Sequence, residues 1–164
     1  MPKKTDTARR RPLTTRGPTR RVSADFAVTT VFTSDAPVHR VRAEPCAECP
    51  FRMDVPTGVF PPDAFRESAP TAYDAALSTF GCHMSKMSAP ATCAGFLKLH
   101  SENNLMVRMS LLSGRIDLTA VSDGGYPLYA TYREMAVANG VPADDPCLRP
   151  VRGNGETWAP EARR

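Results

Sequence analysis

Six prolines (Pro37, Pro45, Pro50, Pro56, Pro61 and Pro62) fall between residues 33 and 62. Proline fixes φ and removes a backbone donor, so neither an ordinary helix nor a central strand survives that spacing. The segment must be loop, and a loop of this length needs something to hold it. Apolar burial supplies little. Hydrophobic residues make up 41% of the 164 residues and aromatics only 7%, so the core is modest. The same loop carries Cys46-Ala47-Glu48-Cys49, whose two thiols can converge on one ion across a tight turn.

Three further candidate ligands follow. Cys82-His83 begins 33 positions after Cys49, and Cys93 comes next. Four thiolates, or three thiolates and an imidazole, suit tetrahedral zinc, and a closed set of four leaves no open position for substrate, which describes a structural site. Such an ion would tie the Pro-rich loop to the segment before the main helical region, with Cys93 at a helix start that favours a thiolate. An iron–sulfur cluster is the alternative cofactor, since four cysteines also suffice for it. A third reading leaves one candidate unbound and water in the fourth position, with Glu48 or Asp54 as the nearest base. A set of buried free thiols is the plain alternative to any metal. Five cysteines is an odd number, which speaks against a closed disulfide framework. Arg52 and Asp54 sit close enough to the cysteine pair to orient its loop by an ion pair or hydrogen bonds. Cys147 reads as a free thiol, and Trp158 as a residue that docks on the domain or contacts a partner.

The net charge of +4 is unevenly spread. Residues 1–21 carry +7, and the rest of the chain carries −3. The first 24 residues have few large apolar side chains and read as a disordered basic arm. Its arginines, Arg9, Arg10, Arg11, Arg20 and Arg21, are the candidate contacts to nucleic-acid phosphates. No aromatic residue interleaves them to give stacking, so a solvated tail is the competing reading. No apolar run approaches the ~20 residues of a membrane span. No apolar core follows the basic start, so a secretory leader is not expected and the cytoplasm is the expected compartment.

The remaining sequence divides into short elements. Phe26 to Phe32 reads as a strand. Pro62-Asp63 opens a helix to about Ser68, and a second is expected near Tyr73 to Leu77. Residues 91–113 form the strongest helical region, broken in two at Asn103-Asn104 and capped by Gly114. Ile116 to Val121 reads as a strand or an extended link, and Asp123-Gly124-Gly125 as a turn. Thr131, Glu134 and Gly140 frame a final helix. The expected fold is thus α+β and mainly helical, a small single metal-stabilised domain over residues 25–141, with a Pro-rich polar tail over 142–164.

The run Pro45-Cys46-Ala47-Glu48-Cys49-Pro50-Phe51-Arg52-Met53-Asp54-Val55-Pro56-Thr57-Gly58-Val59-Phe60 resembles the start of a small uncharacterised domain found in actinobacteria and their phages. The resemblance returns at Cys82-His83 and at Cys93-Ala94-Gly95-Phe96 and spans roughly residues 44–140. It implies metal ligands at Cys46, Cys49, Cys82 or His83, and Cys93, and it implies no activity. No nucleotide-binding, zinc-protease or serine-hydrolase signature is present. The functional expectation is a small zinc-binding module that contacts nucleic acid through its arm. The alternatives are an iron–sulfur redox or sensor protein and a phage-derived factor that binds a host protein.

Overall fold

The computed structural model describes residues 13–34 and 39–153. Among them are one two-stranded antiparallel sheet, four α-helices and three short 3-10 turns, an α+β arrangement. The strands β1 (Leu13–Arg21) and β2 (Ala27–Ser34) come first. Helix α1 (Pro62–Ser68) runs directly into a 3-10 turn at Ala69–Ala72. Helices α2 (Ala94–His100), α3 (Leu105–Leu112) and α4 (Tyr132–Ala138) follow. The other 3-10 turns are Leu118–Ala120 and Pro146–Leu148. None of the helices is long and apolar enough to cross a membrane.

Helix starts follow local chemistry. Pro62 occupies the first position of α1, where its missing N–H costs nothing. Asn104 breaks the long helical region because its side chain is worth more outside a helix than inside one. It is fully buried, and its Oδ1 accepts from the Val107 N–H at 2.9 Å, capping α3. Its Nδ2 donates to the Thr71 and Ser78 carbonyls at 2.8 and 2.7 Å, so one amide also pins the preceding loop. Thr131 caps α4 through the Glu134 N–H at 3.1 Å, and the Glu134 carboxylate accepts from the Ala130 N–H at 2.9 Å.

Three expectations need correcting. Residues 13–21 are strand rather than disordered arm, paired with β2 from Leu13↔Ser34 to Arg21↔Ala27. Residues 1–12, with Arg9, Arg10 and Arg11, lie outside the described residues, as does Trp158. Tyr73 to Leu77 is not helical. Ala75 takes a left-handed φ of 57°, its N–H donates to the Asn103 carbonyl, and Tyr73 forms a bridge with Val151. Long-range backbone partners outbid the local helix there. Residues 142–153 are part of the domain rather than a tail. Leu148 and Val151 are buried, and Arg133 donates to both of their carbonyls at 3.1 and 2.8 Å.

The C-terminal segment is also held by charge. Arg66 of α1 donates to Asp63 at 2.6 Å and to Asp145 at 2.8 Å. The Arg66 hydrogen bond, with a further bond from the Cys147 N–H, holds the Asp145 carboxyl down at about 2 from an ordinary 3.8. A carboxyl whose pKa is depressed on folding stabilises the fold above its unfolded pKa and loses that contribution as pH falls. Asp145→Asn should therefore flatten the loss of stability between about pH 4 and pH 2 that the parent protein shows in acid unfolding.

The core is aromatic at its centre. Phe51 is fully buried, with the rings of Phe80, Phe96 and Tyr132 packed around it at 5.2, 6.4 and 6.1 Å, all near edge-on. The Tyr132 hydroxyl donates to the Phe65 carbonyl at 2.7 Å, and His100 Nε2 accepts from the Tyr132 N–H at 3.2 Å. Phe51 sits two residues after Cys49, so the centre of the core and the cysteine loop are a single structure.

Candidate metal centre

The Cys46 loop is two successive turns. The Cys49 N–H donates to the Cys46 carbonyl at 3.1 Å, and the Arg52 N–H to the Cys49 carbonyl at 3.0 Å. Arg52 then clamps what the turns have built. Its guanidinium makes a bidentate pair with Asp54 at 2.8 and 2.7 Å, reaches the Cys46 carbonyl at 3.3 Å, and lies 3.5 Å over the Tyr126 ring. Asp54 is held below the usual carboxylate range by that hydrogen bond. The loop is fastened to residues 127–129 by backbone bonds from the Met53 N–H to the Pro127 carbonyl and from the Tyr129 N–H to the Phe51 carbonyl. Arg52 and Asp54 thus set the shape of the cysteine loop.

The second limb is a short closed excursion. The Cys82 N–H donates to the Ala91 carbonyl at 2.8 Å and the Cys93 N–H to the Phe80 carbonyl at 2.9 Å, so the chain leaves and returns at the same place. Inside it, the Ser85 hydroxyl donates to the Cys82 carbonyl at 2.6 Å and accepts from the Ala91 N–H at 3.2 Å. Cys93 then stands at the start of α2.

These two limbs carry four buried thiols. Cys46, Cys49, Cys82 and Cys93 are all buried and none forms a disulfide. Cys49 Sγ lies 3.6 Å from Cys93 Sγ, and Cys46 interacts electrostatically with both Cys49 and Cys82. His83 stands at the edge, with Nδ1 4.0 Å from Cys46 Sγ and Nε2 3.6 Å from the Glu48 carboxylate. Its ring packs on Phe60 at 5.0 Å. The contacts run pairwise through Cys46 and Cys49. Among the described residues, no three of the His, Cys, Asp and Glu side chains are gathered as a ready-made metal cage.

Electrostatics follow from this crowding. The hydrogen bond to Cys49 and burial push the Cys46 thiol up to about 12, against an opposing pull from His83. Cys49 is drawn down by Cys46 but pushed up more by Cys93 and by burial, to about 12. Burial raises Cys82 as well. His83 is raised by its contact with Cys46, against burial, with Glu48 adding to the rise. Cys46, Cys49 and Cys82 therefore hold their protons unless a cation compensates the thiolates. Cys147 stands apart, beside the Tyr73 hydroxyl that donates to its carbonyl at 2.8 Å.

Gly95 explains why α2 can approach the thiols at all. A Cβ there would stand 2.7 Å from the Phe51 Cβ and 3.1 Å from Cys49 Sγ. Neither is the loose end of a flexible side chain, so the first turn of α2 or the cysteine loop would have to move. Gly95→Ala should cost about 1–3 kcal/mol, measured by urea unfolding. Gly95 stands in the Cys93-Ala94-Gly95-Phe96 run, where the small pair Ala94-Gly95 directly after a cysteine at a helix start is the signal for this close approach.

The match to known proteins covers this unit. The model of a family of unknown function (DUF6283) matches residues 41–152. The chain belongs to that family. The matched span takes in both cysteine limbs, all four helices and the C-terminal 3-10 turn, and it begins after the two strands. No curated protein and no solved structure shows a detectable match to the chain. Arg20 and Arg21 therefore lie outside the family domain, on β1. Arg20 pairs with Glu67 of α1 at 3.1 Å, and Arg21 donates to the Ala24 carbonyl at 2.7 Å.

Proposed function

We propose that the family domain is a small metal-binding module in which the thiolates of Cys46, Cys49, Cys82 and Cys93 hold one structural zinc ion. On this reading the protein works by binding, with its basic N-terminal residues contacting nucleic acid. The observation that carries the metal assignment is the 3.6 Å approach of the buried Cys49 and Cys93 sulfurs, with the buried Cys46 and Cys82 on the same two limbs. The donor chemistry fits. Zn–S bonds of about 2.3 Å give a tetrahedron whose edges are about 3.8 Å. The Cys49–Cys93 separation of 3.6 Å is close to such an edge and far too long for a disulfide. A dication also supplies the counter-charge that four crowded thiolates lack. His83 is the other candidate for the position of Cys82, and its contact with Glu48 would then orient the imidazole.

An iron–sulfur cluster is the second reading, favoured by the same four buried sulfurs. Metal analysis, acid-labile sulfide and a visible spectrum on anaerobically purified protein separate the two. One zinc per chain without colour is the expected result. Iron with sulfide and a brown colour would move the protein to redox sensing or electron transfer. Neither metal would return the cysteines to buried free thiols and remove the proposal.

A further inference from the structure

We infer that one face of the β1–β2 ribbon enters the major groove of duplex DNA. This rests on the nucleic-acid part of the reading above and replaces a disordered arm with a shaped element. The ribbon's register creates the face. Arg16 pairs with Val31 and Thr19 with Thr29, so three positions on β1 are spanned by two on β2. The bulge at Gly17-Pro18 therefore absorbs one residue and returns Thr19 to the face of Arg16. Arg21, two residues further on, shares that face. Side-chain contacts agree, since Arg16 Nε donates to Thr19 Oγ1 at 3.1 Å and Thr19 Oγ1 meets Thr29 Oγ1 at 3.0 Å. The opposite face holds Arg20, which turns to Glu67 on α1, and Phe32, whose ring covers Gly17 so closely that a Cβ there would meet it at 2.5 Å.

The face carrying Arg16, Thr19, Arg21 and Thr29 is thus cationic and hydroxyl-bearing. None of its residues is acidic. Its charge complements a polyanion, and the chain before it adds Lys3, Lys4, Arg9, Arg10 and Arg11 against the single acid Asp6. Shape then chooses among polyanions. Two strands about 4.8 Å apart, with side chains, fit the B-form major groove of about 12 Å. The major groove of A-form RNA is too deep and narrow for side chains to read. Arg16 and Arg21 lie roughly 15 Å apart along the strand, the length of four or five base steps. Arginine pairs with guanine edges or phosphates, and threonine offers a hydroxyl and a methyl to thymine.

Fluorescence anisotropy of the full metal-loaded chain on a mixed-sequence DNA duplex of two helical turns, over a salt series, tests this. Arg16→Gln with Arg21→Gln should weaken binding about tenfold or more and flatten the log–log salt slope by about two. Arg16→Lys with Arg21→Lys should keep the slope and lose part of the affinity. Arg108→Gln with Arg149→Gln removes the same charge from the exposed surface of the family domain and should change neither reading. An RNA duplex of the same sequence should bind more weakly than the DNA. If the ribbon and control pairs behave alike, or the RNA binds as tightly, the inference fails while nucleic-acid binding stands. If neither duplex binds, both fall together.

Discussion

Cys49→Ser should bind no stoichiometric metal and should leave the chain largely unfolded at room temperature. Cys49 is fully buried, touches Cys93, interacts electrostatically with Cys46, and lies against Gly95 at the first turn of α2. A structural zinc contributes on the order of 10 kcal/mol, comparable to the whole stability of about 5–15 kcal/mol of an ordinary domain. Chelation of the parent protein should have the same effect, reversed by adding zinc. Cys147→Ser should change neither metal content nor melting temperature beyond the small effect of a half-buried substitution, since Cys147 lies outside the thiol contacts. Circular dichroism melts with and without chelator, alongside zinc stoichiometry, read this directly. A Cys49→Ser protein that melts like the parent would show that the sulfur cluster is packing and nothing more.

Phe51→Ala is the second large effect. Its ring meets three others and is completely excluded from water, so truncation opens a cavity where the helices and the cysteine loop join. Removing a buried phenylalanine costs about 3–5 kcal/mol. The loss should appear in urea unfolding with zinc in excess, which separates packing from metal binding. Leu112→Ala, at a side chain 89% exposed on α3, should stay within about 0.5 kcal/mol of the parent. Equal effects from the two would place the core elsewhere.

Much of the family domain was legible because its signals are local. Pro62-Asp63, Asn103-Asn104 and Thr131 with Glu134 and Gly140 each mark a helix boundary by backbone chemistry that needs no distant partner. The sequence left five candidate ligands open, and the contacts among them are pairwise, Cys49 with Cys93 and His83 with Cys46. What could not be read was whatever depends on pairing across the chain. The β1 sequence Leu-Thr-Thr-Arg-Gly-Pro-Thr-Arg-Arg looks like a tail, and only β2 and the bulge at Gly17-Pro18 make it a strand. Tyr73 to Leu77 has helical composition, but its backbone is spoken for by Asn103, Met106 and Val151. Leu148 and Val151 sit among polar residues and prolines, and nothing short of the fold shows that Arg133 and Tyr73 hold them down.

The spacing of the cysteines also bears on the entropy cost of closing the chain. Thirty-two residues separate Cys49 from Cys82, and ten separate Cys82 from Cys93. Joining the ends of the longer stretch costs about 1 kcal/mol more chain entropy than joining the shorter. The Cys82–Cys93 excursion, with Ser85 bridging its own base, is therefore the less costly closure. The prolines on either side of the Cys46 knuckle have already restricted the unfolded chain, so the long closure starts from fewer conformations than its length suggests. What the Pro-rich loop lacks in regular structure, it recovers as a shorter search.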